Sequence, residues 1–162
     1  MARKGLDQIT LMTGPYVVNK DTAAEVVPHV RFRHYKPAEL EIARKFIADA
    51  TLPGTYYFDV YLRTAASDTI VYEMQPLDTA DAAPWMLRID AICVKPGAVW
   101  IIEFKDRLRP SLIGQLLSYA SLYKTQYQPK KPILTAGVVG RDDPTLHPIL
   151  QEHEIRLILS PP

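Results

Sequence analysis

The sequence predicts one α/β domain in which helices pack against a central mixed sheet. Segments rich in β-branched and aromatic residues alternate with amphipathic segments along the 162-residue chain. The run ILTAGVVG at 133–140 is almost continuously apolar, as is typical of a strand buried on both faces. Fourteen prolines leave seven long proline-free stretches, and these are the candidate elements because proline is excluded from helix interiors and central strands.

The N-terminal part of the chain reads differently from the rest. Residues 1–36 show little periodicity and are predicted to form an arm with one or two short strands, and the domain proper is predicted to span 37–162. Residues 37–50 predict a helix that begins at Pro37, because one face of the helix carries regularly spaced apolar residues: Leu40, Ala43, Phe46, Ile47 and Ala50.

The later elements follow from the same signals. The predicted order is helix, four strands, helix, strand, helix, strand, which contains the order α-β-β-β-α-β. Pro110 suits the first turn of the strongest helix, which runs from 109 to 127. The remaining elements are strands at 55–63, 69–75, 86–94 and 98–106, a strand at 133–140, a short helix at 143–153 and a strand at 155–160.

Composition excludes several classes of protein. Apolar residues make up 48% and charged residues 23%, which excludes a disordered chain, a collagen-like repeat and a coiled coil. The single cysteine, Cys93, excludes a disulfide framework and a four-cysteine zinc site, and its place on its strand predicts a core position. No apolar run approaches the ~20 residues of a membrane span, and the N-terminus has no secretory apolar core. We therefore expect a soluble protein of the cytoplasm, with no membrane partner.

A hairpin carries the clearest chemical signal. A tight turn at Pro96-Gly97 pairs residues whose numbers sum to 193, so Asp90 is expected directly opposite Glu103. Alternation then places Lys105 on the same face and Trp100, Ile102 and Phe104 on the other face. Two close carboxylates repel each other unless a cation lies between them, and hard oxygen ligands suit Mg²⁺ or Mn²⁺. The alternative is a solvated salt-bridge cluster on the surface of the sheet.

The segments RIDAICV and VWIIEFKD, followed by a helix containing GQLLSYASLY, resemble the PD-(D/E)XK nuclease superfamily. The likeness is greatest to the branch of RecB and lambda exonuclease, which carries a Gln-x-x-x-Tyr motif. It implies a restriction-endonuclease-like core in which Asp90, Glu103 and the carbonyl of Phe104 hold one or two Mg²⁺ or Mn²⁺ ions. Lys105 is implied to position and deprotonate the attacking water. Gln115 is implied to orient the lysine or the scissile phosphate, with support from Tyr119.

Three further residues are candidates for the site on the same resemblance. The family often adds a glutamate from the first core helix, and the resemblance implies that this residue holds a second metal ion or a metal-bound water. Glu39 fits that role because it lies on the apolar side of the helix, whereas Glu41 points away. Glu39 alternatively only complements the helix N-terminus. Arg107 and Arg109 are candidates for contact with the phosphate backbone, or are simply solvated. The sequence departs from the family pattern at Ile89, where the family has proline.

The function implied by the resemblance is a Mg²⁺-dependent deoxyribonuclease acting on DNA. An alternative is a nuclease-fold component of a larger assembly, such as a phage particle, that binds DNA with little or no catalysis. In that case the arm at 1–36 is the segment that contacts a protein partner or a second copy of the chain, and the location is the host cytoplasm or the virion. A third possibility is an unrelated α/β domain with a salt-bridged hairpin.

Overall fold

The computed structural model describes residues 13–29, 35–62 and 87–162. The strands and helices, in chain order, are β1 Thr13–Val18, α1 Ala23–Val26 with a 3-10 turn Val27–His29, α2 Pro37–Ala48, β2 Gly54–Leu62, β3 Leu87–Val94, β4 Val99–Lys105, α3 Pro110–Tyr127, β5 Ile133–Val139, a 3-10 turn Pro144–Leu146, α4 His147–Glu152, and β6 Ile155–Leu159. The strand predicted at 69–75 lies outside the described residues. The full order of elements therefore stays a prediction.

The six strands form one mixed sheet in the order of the chain, from β1 to β6. Strands β1 to β4 run antiparallel to their neighbours, and β5 and β6 join in parallel through α3 and α4. The predicted α/β fold class, a mixed sheet flanked by helices, is confirmed, and the architecture is consistent with a restriction-endonuclease-like core. Within the predicted arm, residues 13–18 form the edge strand of this sheet.

Helices cover both faces of the sheet and create two apolar cores. The first core lies under α2, where the rings of Phe46 and Phe104 meet edge-on at 5.6 Å and Phe46 also contacts Tyr56. Cys93 is buried in this core, as its strand position predicted. The second core lies under α3 and α4 and contains Leu112, Leu116, Ile101, Tyr123 and Leu150.

Local sequence explains where the helices begin and how closely they pack. Proline occupies the first position of both α2 and α3, as predicted, where its missing N–H has no helical partner to lose. The axis of α3 can approach β5 closely because a Cβ at Gly137 would lie 2.7 Å from the side chain of Leu112. None of the helices in the described ranges is long and apolar enough to cross a membrane.

The hairpin of β3 and β4 has the predicted register. Ala91 pairs with Ile102 and Val94 with Val99, and the N–H of Lys95 donates to the carbonyl of Ala98 across the turn at 2.9 Å. Ile102 and Phe104 lie in the first core, with Trp100 packed against it. These side chains occupy the face opposite to the predicted site, as expected from strand alternation.

Candidate acidic site

The carboxylates of Asp90 and Glu103 each accept a hydrogen bond from the main chain of the facing strand, at the point where β3 and β4 separate. The ladder of backbone pairs ends at Ala91 and Ile102. Beyond it, the N–H of Asp90 donates to Oε1 of Glu103 at 3.0 Å, and the N–H of Phe104 donates to Oδ2 of Asp90 at 3.0 Å. Side-chain carboxylates thus replace backbone carbonyls as acceptors, and the two acids are brought together as the register predicted.

A third acid, which the sequence analysis did not single out, extends the row to β2. The pairs Phe58–Ala91 and Val60–Ile89 flank Asp59 and Asp90, which places these two residues opposite each other. Asp59 is buried, and its φ of 51° lies in the left-handed region that few non-glycine residues adopt. Asp59, Asp90 and Glu103 therefore occupy one row across three neighbouring strands.

At this row, the side chains of β2 and β3 switch from one face of the sheet to the other. Phe58 and Ala91 pack in the first core, whereas Val60 and Ile89, two residues away along each strand, pack in the second. Strict alternation would keep each pair on one face, so the left-handed residue at Asp59 marks an abrupt rotation of the β2–β3 ribbon. This rotation coincides with the end of the β3–β4 ladder, and the acidic side chains lie where the strands part.

Two cations lie beside the acids. Nζ of Lys105 is 3.8 Å from Oε1 of Glu39, and Nε of Arg88 is 3.3 Å from Oδ1 of Asp59. Glu39 projects from the first turn of α2 and is only 9% exposed, whereas Glu41 is exposed. The helical-wheel assignment of Glu39 to the inner side of the helix is therefore confirmed. Its role toward a metal stays a prediction.

Helix α3 brings Gln115 and Tyr119 to the same region. Burial together with the charges of Glu103 and Asp90 raises the pKa of Tyr119, and the neighbouring amide of Gln115 opposes that shift. Oε1 of Gln115 is buried and has no hydrogen-bond partner among the residues that the structure describes. A buried acceptor without a donor is costly, so a water, a cation or a substrate group is the expected partner.

Tyr35, which precedes α2, also contacts the site, and the sequence analysis did not single it out. Its hydroxyl donates to the carbonyl of Asp90 at 2.7 Å, and its ring lies 5.8 Å from that of Phe104. Burial raises its pKa well above the usual value, and the charges of Asp90, Asp59 and Glu103 raise it further. Tyr35 therefore joins the arm to both acid-bearing strands.

Burial dominates the electrostatics of the acidic pair. Desolvation raises the pKa of Asp90, and the hydrogen bond from the N–H of Phe104 opposes that shift. Desolvation and the charge of Asp90 raise the pKa of Glu103 well above the usual value, although Lys105 and the N–H of Asp90 act in the opposite sense. A bound cation would therefore stabilise the ionised forms of both carboxylates and offset their mutual repulsion.

The two arginines proposed for phosphate contact lie at the surface. Arg107 is exposed, and Arg109 is paired with Asp106 at 3.0 Å, each about half exposed. Both follow β4 directly, and their contact with a phosphate backbone stays a prediction. Within ranges 13–29, 35–62 and 87–162, no group of three or more His, Cys, Asp or Glu side chains is placed to hold a metal ion. For a metal ion held by Asp90 and Glu103, the resemblance implies the carbonyl of Phe104 as a further ligand.

No protein-family model matches the chain, and comparisons with curated proteins and with solved structures give no match either. The class that the fold defines is an α/β domain with a mixed sheet and a buried row of acids. Any functional assignment rests on these residues and on their geometry.

Proposed function

We propose that the protein is a metal-dependent nuclease of the PD-(D/E)XK type that hydrolyses phosphodiester bonds of DNA. The observation that carries the proposal is the pair of crossed hydrogen bonds that fixes the carboxylates of Asp90 and Glu103 next to each other, with Lys105 two residues along the same strand. The proposed setting is the cytoplasm, or a virion for a phage-encoded chain.

The burial of the acids favours this assignment over a solvated salt-bridge cluster. Glu103 is 2% exposed, and Asp90 is half-buried. A surface cluster would leave both carboxylates hydrated, whereas burying two like charges without a permanent partner is unfavourable. Perturbed carboxylates in a partly open site are typical of functional positions.

The donor set suits a hard divalent cation. Each carboxylate uses one oxygen to accept a main-chain N–H, which leaves the second oxygen of Asp90 and of Glu103 as a donor, together with the carbonyl of Phe104. Oxygen ligands of this kind are those of Mg²⁺ and Mn²⁺. When bound, such an ion supplies Lewis-acid stabilisation of charge on the phosphate.

The protein's own residues supply the rest of the proposed chemistry. Lys105 orients the attacking water through its ammonium group, and the carboxylate of Glu39, 3.8 Å from that ammonium, accepts the proton that the water loses. Gln115 has a buried acceptor with no hydrogen-bond partner among the described residues, which orients the water or the lysine, and Tyr119 supports it from one turn further along α3. Glu39 completes the acidic wall of the site.

A nuclease assay tests the proposal. Wild-type protein is incubated with linear duplex, circular and single-stranded DNA in Mg²⁺ or Mn²⁺, with EDTA as the metal-free control. We expect cleavage that EDTA abolishes, and we expect Lys105→Ala to lose turnover while it retains DNA binding, since one lost cation lowers the salt slope of binding by only about one. Asp90→Asn should lose both turnover and metal binding measured by calorimetry.

The matched control is Lys124→Ala, which removes an exposed lysine at the end of α3 and should cleave like the wild type. Absence of cleavage on every substrate with either ion refutes the proposal. DNA binding without cleavage would instead favour the alternative of a nuclease-fold component of a larger assembly.

A further inference from the structure

The acidic site contains a second cation with no role in the chemistry described so far. Arg88 lies on β3 two residues before Asp90, and its Nε is 3.3 Å from Oδ1 of Asp59. The side chain of Asp59 is 5% exposed, whereas that of Arg88 is 24% exposed. A buried carboxylate thus lies beside the guanidinium of a partly exposed arginine side chain.

The anchoring leaves the useful part of the guanidinium free. The contact with Asp59 is an ion pair through Nε that lacks hydrogen-bond geometry, and the terminal nitrogens of Arg88 make no ion pair with any other acid in the described ranges. Those two nitrogens form the planar fork that binds two oxygens of one phosphate group. By contrast, Arg109 already uses a terminal nitrogen to bind Asp106 at the surface.

The register of β2 and β3 places Arg88 next to the acidic row. Arg88 pairs with Tyr61, and the pairs Val60–Ile89 and Phe58–Ala91 place Asp59 opposite Asp90. The carboxylate that contacts Nε of Arg88 therefore belongs to the same row as Asp90 and Glu103.

Charge balance gives this arginine a purpose. Four carboxylates, those of Glu39, Asp59, Asp90 and Glu103, face two cations, Lys105 and Arg88. Without Arg88 these groups carry three net negative charges, which one divalent cation alone would not neutralise. With Arg88 and a divalent cation the charges balance, so an entering phosphodiester meets a neutral site in which the guanidinium can donate hydrogen bonds to its oxygens.

We infer that Arg88, oriented by the buried carboxylate of Asp59, binds the phosphodiester group of the DNA that enters the acidic site. The inference rests on the proposed function and adds the residue that holds the substrate. Asp59 is a positioning residue in this scheme because it acts through Arg88.

The test uses Arg88→Ala, Arg88→Lys and Asp59→Asn in the full chain. Asparagine keeps the size of Asp59 and tolerates its left-handed backbone, so this substitution removes only the charge. Arg88→Lys keeps the ion pair with Asp59 but removes the fork. Arg44→Ala is the control, because Arg44 is an exposed arginine on α2. Thermal melting verifies that each variant is folded.

Two measurements are made on a short DNA duplex. The Kd is measured in Ca²⁺ over a series of salt concentrations, and kcat/KM is measured in Mg²⁺. We expect Arg88→Ala to weaken binding about tenfold and to lower the salt slope by about one, with Arg44→Ala unchanged. Arg88→Lys should recover the salt slope but not kcat/KM. Asp59→Asn should lower kcat/KM about tenfold, although it makes the chain more positive and general electrostatics alone would favour binding.

The results separate this inference from the proposed function. Cleavage by the wild type with equal binding and turnover in Arg88→Ala overturns the inference and leaves the nuclease proposal standing. An unchanged or higher kcat/KM in Asp59→Asn overturns the positioning role. A wild type that binds DNA through Arg88 but never cleaves supports the inference and refutes the nuclease proposal.

Discussion

Replacing Glu103 with glutamine should make the metal-free protein more stable at neutral pH. Glu103 is buried against Asp90, and both desolvation and the charge of Asp90 raise its pKa. Glutamine has nearly the same shape, and its carbonyl oxygen can still accept the N–H of Asp90. The substitution therefore removes a buried like-charge repulsion and keeps the hydrogen bond that spans the two strands.

The size of the effect follows from the geometry of the pair. Facing residues on neighbouring strands have Cβ atoms about 5 Å apart, and two unit charges at that distance repel by about 3 kcal/mol at an effective dielectric constant of about 20. Lys105 and the main-chain N–H of Asp90 offset part of this repulsion. We expect a net gain of about 1–2 kcal/mol in the free energy of unfolding, which corresponds to about 3–6 °C in Tm for a chain of this length.

The gain should depend on pH in a defined direction. A carboxyl whose pKa is raised by folding holds its proton more tightly in the folded state than in the unfolded state. Wild-type stability should therefore fall as pH rises from the unfolded pKa of about 4.3 through the raised pKa of the folded state. Below that window both states are protonated, and Glu103→Gln should then match the wild type.

Thermal unfolding in EDTA at pH 4 and at pH 7.5 measures the effect. Glu103→Ala is the contrasting variant, because it leaves a cavity and a buried N–H at Asp90 without an acceptor, and it should be less stable than the wild type at both pH values. A Tm of Glu103→Gln below that of the wild type at pH 7.5 would refute the repulsion argument.

Two further outcomes follow from the structure. Glu39→Gln should lower Mg²⁺-dependent cleavage about tenfold, because Glu39 lies against Lys105. Glu41→Gln is the control and should cleave normally, because Glu41 faces solvent. Equal activities of the two variants would show that Glu39 is not part of the site. Gly54→Ala should cost about 1–3 kcal/mol in a urea unfolding experiment, because its Cβ would clash with the Sγ of Cys93. Gly97→Ala is the control and should leave stability almost unchanged, because its Cβ would meet nothing within 4 Å.

The parts of the site set by short-range rules could be predicted from the sequence. The two-residue turn at Pro96-Gly97 fixes the pairing of β3 with β4, and so Asp90 and Glu103 could be matched by counting. The periodicity of α2 separated Glu39 from Glu41, and prolines marked the starts of α2 and α3.

The parts set by long-range contacts could not be predicted. Asp59 stands in a predicted strand, TYYFDVYL, but 24 residues separate β2 from β3, and no turn of that length fixes a register. The left-handed backbone of Asp59 could not be predicted either, because aspartate is also common at the ends of ordinary strands and in turns. Tyr35 lies in a stretch without periodicity, and its contact with Asp90 joins residues 55 positions apart. An unusual polar residue inside an apolar strand was the one available signal for Asp59.

The crossed hydrogen bonds between β3 and β4 also constrain how this chain can change over generations. Because each carboxylate accepts a main-chain N–H of the facing strand, the two acidic positions serve as structural parts of the sheet. The side-chain carbonyl of asparagine or glutamine can accept the same hydrogen bond, whereas a small apolar residue would leave the main-chain N–H of the facing strand without an acceptor. Under the proposed function, a descendant that lost catalysis would therefore be expected to carry asparagine or glutamine at these two positions and to keep the hydrogen bonds between β3 and β4.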